Sequence, residues 1–66
     1  MSVAKVIEIT ASSPTSFAEA AKEGIAKASE TIHGIKGAWV SEESLVVEND
    51  KVTEFRVTMR VSFVLD

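Results

Sequence analysis

Cysteine is absent from the 66 residues, and histidine occurs once, as His33. The first absence removes disulfides and thiolate metal sites together. The second removes a histidine-rich zinc centre. Only three glycines are present, Gly24, Gly34 and Gly37, and they form no phosphate-cradling loop. Basic residues are too few to dominate: Lys and Arg number 7 against 10 Asp and Glu, for a net charge of −3. A chain with that balance lacks the cationic surplus that nucleic-acid binding requires. Apolar runs are a few residues long, far short of a membrane span. The segment from Met1 to Ile9 alternates apolar and charged residues and carries no apolar core of a secretory signal. The expectation is a cytoplasmic protein with neither nucleic acid nor membrane as partner.

What is present is hydrophobicity, at 45% of residues. A domain this short buries only ~60% of the surface exposed by its unfolded chain, so its own core is marginal. Disulfide and zinc being excluded, association with other copies is the remaining route to stability. Residues 1–66 are expected to form one domain and to oligomerise.

Val3 to Thr10 reads as a strand, β-branched and interrupted by Lys5 and Glu8 as exposed edge strands are. Ala11-Ser12-Ser13-Pro14-Thr15 reads as a loop. Ser16-Phe17-Ala18-Glu19 has the spacing of a capping box, so a helix is predicted to start there. Phe17, Ala21, Gly24, Ile25, Ala28 and Ile32 recur at three and four, giving one apolar stripe. Glu23 and Lys27 stand at i, i+4 in the favourable order. His33-Gly34 is predicted to end the helix, with Gly34 in the left-handed conformation.

Ala38 to Val47 and Val52 to Leu65 read as second and third strands. In the third, Phe55, Val57, Met59, Val61, Phe63 and Leu65 alternate with Arg56, Thr58, Arg60, Ser62 and Val64, so one face is buried and the other mostly polar. Glu48-Asn49-Asp50-Lys51 is a turn, because Asn and Asp tolerate positive φ. An antiparallel hairpin plus a right-handed crossover puts the third strand in the middle. The expected class is α+β: a βαββ chain, a three-stranded antiparallel sheet of order 1-3-2 packed on one helix.

No catalytic constellation is visible. Nucleophilic catalysis needs a hydroxyl or thiol beside an oriented base, and the lone histidine lies at a helix C-terminus, where the helix dipole favours a cation. The chain is therefore expected not to be an enzyme. Glu42, Glu43, Glu48, Asp50 and Glu54 gather near the hairpin in no EF-hand spacing and read as a solvated acidic face. Trp39, the sole tryptophan, is either an interface aromatic or a platform for a ligand; it shares a strand face with Gly37 and Ser41. Arg56 and Arg60 lie on the open face, either simply solvated or, in a chain that oligomerises, placed for ion pairs to Glu42 or Glu54 of a neighbouring copy, with anion binding the third option.

Lys5-Val6-Ile7-Glu8-Ile9, Ser12-Ser13-Pro14-Thr15-Ser16-Phe17, Ala28-Ser29-Glu30-Thr31-Ile32 and above all Phe55-Arg56-Val57-Thr58-Met59-Arg60-Val61-Ser62-Phe63 together resemble the dodecin family, in order and over nearly the whole chain. The resemblance implies a hollow homododecamer that binds flavins, such as riboflavin or FMN, for storage or sequestration. In that family the flavins are stacked against a tryptophan and held by a glutamine. Gly37 stands here in the place of that tryptophan, and Arg56 in the place of that glutamine. An aromatic stack worth ~1 kcal/mol is thereby missing. Arg56 donates hydrogen bonds but cannot accept them as an amide does. Trp39, two residues along the same strand face, either moves the stacking platform or fills the space a flavin would take. The same pattern resembles a dodecin subgroup that binds calcium and lacks the usual flavin site. In that alternative Glu42 and Glu43 are the candidate metal ligands.

Overall fold

The structure is a computed structural model that describes residues 3–65. Met1, Ser2 and Asp66, which the sequence assigns to the same domain, lie outside the described residues. The elements are β1 (Val3–Ser13), α1 (Phe17–Ala28), β2 (Ile35–Glu48) and β3 (Lys51–Leu65). The sheet has order β1-β3-β2, with both outer strands antiparallel to β3. This is the topology that the hairpin and the crossover dictate.

The alternation of β3 becomes burial. Val57, Met59 and Val61 are at most 1% exposed and, with Ala20 of the helix, form the core. Ile7, Ile9, Ala11, Phe17, Ala21, Ile25 and Ile35 pack around them. Phe55 and Phe63 are half-buried, while Leu65, at the end of the strand, is exposed. The Phe17 ring meets Phe55 edge-on, centroids 5.2 Å apart at 79°, an arrangement the ring quadrupoles favour.

Ser16 caps α1, its Oγ accepting from the Glu19 N–H at 3.0 Å. The helix face is centred differently from the periodic stripe. Ala20, outside that stripe, is fully buried, and Gly24 is the other buried helical residue. The sheet approaches so closely at Gly24 that a Cβ there would lie 2.9 Å from both Ala11 Cβ and Met59 Cε. Small residues at 20 and 24 are what admit this approach. The expected Glu23–Lys27 pair is not the one formed: Lys22 pairs with Glu19 at 3.9 Å and Lys27 with Glu30 at 3.6 Å. All four are exposed, and such pairs contribute little, about 0.2–1 kcal/mol.

Three boundaries move by more than one residue. β1 runs on to Ser13 because Ala11, Ser12 and Ser13 find partners in Val57, Arg56 and Phe55. Ser13 is buried, and its Oγ accepts from the Thr15 N–H at 3.1 Å, which turns the chain before the helix. The helix ends at Ala28, earlier than His33-Gly34. The Ser29 hydroxyl donates to the Ile25 carbonyl at 2.8 Å, and the backbone then tightens into Glu30-to-Lys27 and Thr31-to-Ala28 bonds. Gly34 does adopt a left-handed φ of +79°, and its carbonyl accepts from Val64 N–H. That bond starts β2 at Ile35 rather than Ala38. At the hairpin, Asn49 and Asp50 have φ of +52° and +62°, the two positive values of a type I′ turn, matched to the twist of the flanking strands.

Candidate functional site

Helix α1 covers one face of β1 and β3 and leaves the other face of the sheet bare. Across that open face β1 contributes Val6, Glu8, Thr10 and Ser12, which are paired with Ser62, Arg60, Thr58 and Arg56 of β3. β2 contributes Gly37, Trp39, Glu42 and Ser44, paired with Ser62, Arg60, Thr58 and Arg56. Directly opposed residues in an antiparallel ladder share a face, so the four β3 side chains each have a neighbour on either side.

Hydroxyls knit the strands together on this face. Arg56 Nε donates to Ser12 Oγ at 3.2 Å, which holds the guanidinium toward β1. Thr10 and Thr58 hydroxyls are 3.2 Å apart. Ser62 Oγ donates to the Gly37 carbonyl at 3.4 Å, and Ser41 Oγ to the Thr58 carbonyl at 3.1 Å.

The β2–β3 ladder slips three times, between Ile35 and Gly37, Val40 and Glu42, and Val46 and Val47. The middle slip has consequences for chemistry. Val40 pairs with Met59 and Glu42 with the next residue, Thr58, so Ser41 is an extra residue in β2. Trp39, Ser41 and Glu42 consequently all face the open side, while Glu43, opposite the buried Val57, turns to the helix side. Glu42 and Glu43 of one subunit therefore point to opposite faces of the sheet. Among the described residues no three carboxylates or imidazoles come together as a metal-binding group.

Trp39 is 59% exposed. With Val6, Ser41 and Arg60 it lines an open recess of about 690 Å³. Gly37 and Arg56, which replace the stacking and amide residues of the resembled family, are on this same face but far apart. Gly37 pairs with Ser62, six residues from Arg56 along β3, which is about 20 Å at strand rise. Trp39 is four residues from Arg56 by the same measure, about 13 Å. A Cβ at Gly37 would meet only Ser62 Oγ, at 3.6 Å, an ordinary contact, so a side chain there has room. Arg60 was legible as one of two open-face cations; its position directly across from Trp39 is the one the hairpin register sets, because the slips at Val46/Val47 and at Val40/Glu42 cancel before Trp39.

Apolar surface is also left uncovered elsewhere. Between α1 and β2 runs a groove of about 500 Å³ lined by Ala21, Ile25, Ala26, Ala38, Val40 and Met59, with Lys22 also on its wall. The hairpin extends past the helix with Leu45, Val47 and Val52 each about half exposed. The chain measures 51 × 20 × 14 Å with a radius of gyration of 13.5 Å, against about 11 Å for a compact domain of this length.

The same fold recurs in known proteins. The dodecin family model matches residues 3–66. Calcium dodecin of Mycobacterium tuberculosis is 38% identical over 63 residues, 96% of this chain and 89% of that one. The crystal structure of a calcium-chelating calcium dodecin from M. tuberculosis, with a novel calcium-binding site, superposes with a TM-score of 0.86 at 35% identity, covering 97% of this chain and 91% of that one. Dodecin from Streptomyces davaonensis superposes with a TM-score of 0.95 at 31% identity, covering 98% of this chain and 96% of that one. Sequence and architecture agree over almost the whole length, and the chain belongs to the dodecin family.

Proposed function

We propose that this protein is a non-enzymatic small-molecule binding and storage protein that works as a hollow homododecamer, with flavin as the reference ligand and the open sheet face as the binding surface. The observation that carries the reading is the bare face itself, which holds the exposed Trp39 in a recess while the helix occupies the other side. The about 20 Å between Gly37 and Arg56 argues for a site shared between copies. Each copy then lends a different end of its sheet to one ligand. The uncovered Val40, Leu45, Val47 and Val52 supply apolar surface for such contacts. Gly37, Trp39 and Arg56 are the candidate contact residues: Trp39 the ring platform, Gly37 an open space beside it, and Arg56 a hydrogen-bond donor from the other end of a sheet.

A second reading is favoured by the likeness to calcium dodecin: the same shell holding calcium rather than flavin. Glu42 on the open face and Glu43 on the helix side are its candidate ligands. Facing opposite ways, they would serve in contacts with different neighbours, so a calcium site would draw its oxygens from more than one copy.

Riboflavin titration by fluorescence quenching, on protein whose mass has been established by sedimentation, tests the proposal. Saturable quenching by a large oligomer supports the flavin reading. An intact large oligomer that leaves riboflavin fluorescence unchanged, yet gains thermal stability with millimolar calcium, supports the second. A mass of one or two subunits defeats the shell in both.

A further inference from the structure

Trp39 and Arg60 stand directly opposite each other in the β2–β3 ladder, on the face the helix leaves bare. Opposed residues bring their Cβ atoms to about 5 Å, so the indole and the guanidinium belong to one patch. Val6 from β1 and Ser41 from the bulge complete the recess. The two principal groups recognise different things. An exposed indole takes a planar ring by stacking. A guanidinium takes a carboxylate or phosphate through paired N–H donors. The Ser41 hydroxyl donates its hydrogen bond to the Thr58 carbonyl, so toward a ligand it is an acceptor.

The charges around Arg60 bear on whether its fork is free. Glu8 is its cross-strand neighbour on β1, Glu42 lies two pairs further along the β2–β3 ladder, and Arg56 is four residues down β3. Among the described residues the ion pairs are Lys22–Glu19 and Lys27–Glu30, and Arg60 is in neither. Its guanidinium is exposed beside a carboxylate to which it is not bonded.

The geometry points to Arg60 as a selectivity residue: with Trp39 it makes the recess prefer planar aromatic ligands that carry an anionic group over neutral rings. This rests on the small-molecule reading above and adds to it the charge of the ligand. It names no particular flavin, since the ring platform is Trp39 and the charge partner is Arg60, neither at the position of the family's stacking tryptophan or glutamine. Glu8 opposes the preference by repelling the same anion.

Trp39 is the only tryptophan and tyrosine is absent, so the emission of the protein reports on this residue. The experiment titrates the assembled oligomer with 4-nitrobenzoate and with 4-nitrobenzamide, quenchers that differ in charge and little in shape. The expected result is saturable quenching by both, with the benzoate about tenfold tighter, the factor a charge-assisted hydrogen bond supplies. Arg60→Gln brings the two to equal affinity. Arg60→Lys, which keeps the charge and loses the fork, retains part of the preference. Glu8→Gln tightens the benzoate alone. Equal quenching by the two probes, or a preference that survives Arg60→Gln, overturns the inference. So does the absence of saturable quenching by either, the result if another copy covers Trp39. Riboflavin binding by the same oligomer in any of these cases leaves the small-molecule reading standing.

Discussion

The two faces of β3 differ by one residue of phase and by almost everything else. Val57, Met59 and Val61 are at most 1% exposed and packed under the helix, whereas Arg56 and Arg60 are exposed, with Thr58 between them in a hydroxyl contact. The covered face is held by packing, in which each side chain has one permitted shape. The open face is held by cross-strand hydroxyls and the Arg56–Ser12 bond, which leave Trp39 and Arg60 spare. A 66-residue chain thus spends one side of its sheet on stability and keeps the other for contact with something else.

Substitutions on the two faces should separate sharply. Met59→Ala should cost about 2–5 kcal/mol, the range for truncating a large core side chain, in urea unfolding at fixed protein concentration. Thr58→Ala on the open face should cost no more than about 1 kcal/mol, one exposed hydrogen bond. Equal midpoints for the two variants would mean that the face assignment is wrong. Gly24→Val comes next. It drives a branched side chain into Ala11 and Met59 where even a Cβ is too close, and overpacking of this kind costs about 1–3 kcal/mol. Calorimetry should show a lowered unfolding temperature; an unchanged or raised one would mean that the helix floats further from the sheet.

On the open face, Gly37→Trp combined with Arg56→Gln restores the family's stacking and amide groups where a Cβ at 37 has room. Stacking worth ~0.5–1.5 kcal/mol should tighten riboflavin binding up to about tenfold, read by flavin quenching. If the double variant binds no better than the parent, positions 37 and 56 are not at the ligand. The smallest effect belongs to the helix start. Ser16→Ala removes the acceptor for Glu19 N–H and should cost about 1 kcal/mol, without altering riboflavin quenching, because Ser16 belongs to the covered side.

The resemblance carried the family further than the residue patterns did alone, but the patterns had real reach. Strict alternation in β3, the serine before a helix, and Asn49-Asp50 between two apolar segments each have one local solution, and each is found. The candidate site was legible only in part. Trp39 was correctly placed on the face of Gly37, because that needs only alternation between neighbours. That Glu42 rather than Glu43 joins Trp39 on the open face was not legible, because the bulge at Ser41 is decided by the partner strand.

By itself the sequence determined the order of the elements, the covered and open sides of β3, the cap at Ser16 and the turn at Asn49-Asp50, all of which depend on residues within a few positions of one another. The tertiary structure alone decided that Ala20 rather than a residue of the periodic stripe lies deepest, that β1 runs on to Ser13, and that Ser41 is the extra residue that puts Trp39, Ser41 and Glu42 on one face. Those outcomes turn on how closely the helix meets the sheet at Gly24 and on which residues β3 offers as partners. Both are distances between segments far apart in the chain, and no local pattern encodes them.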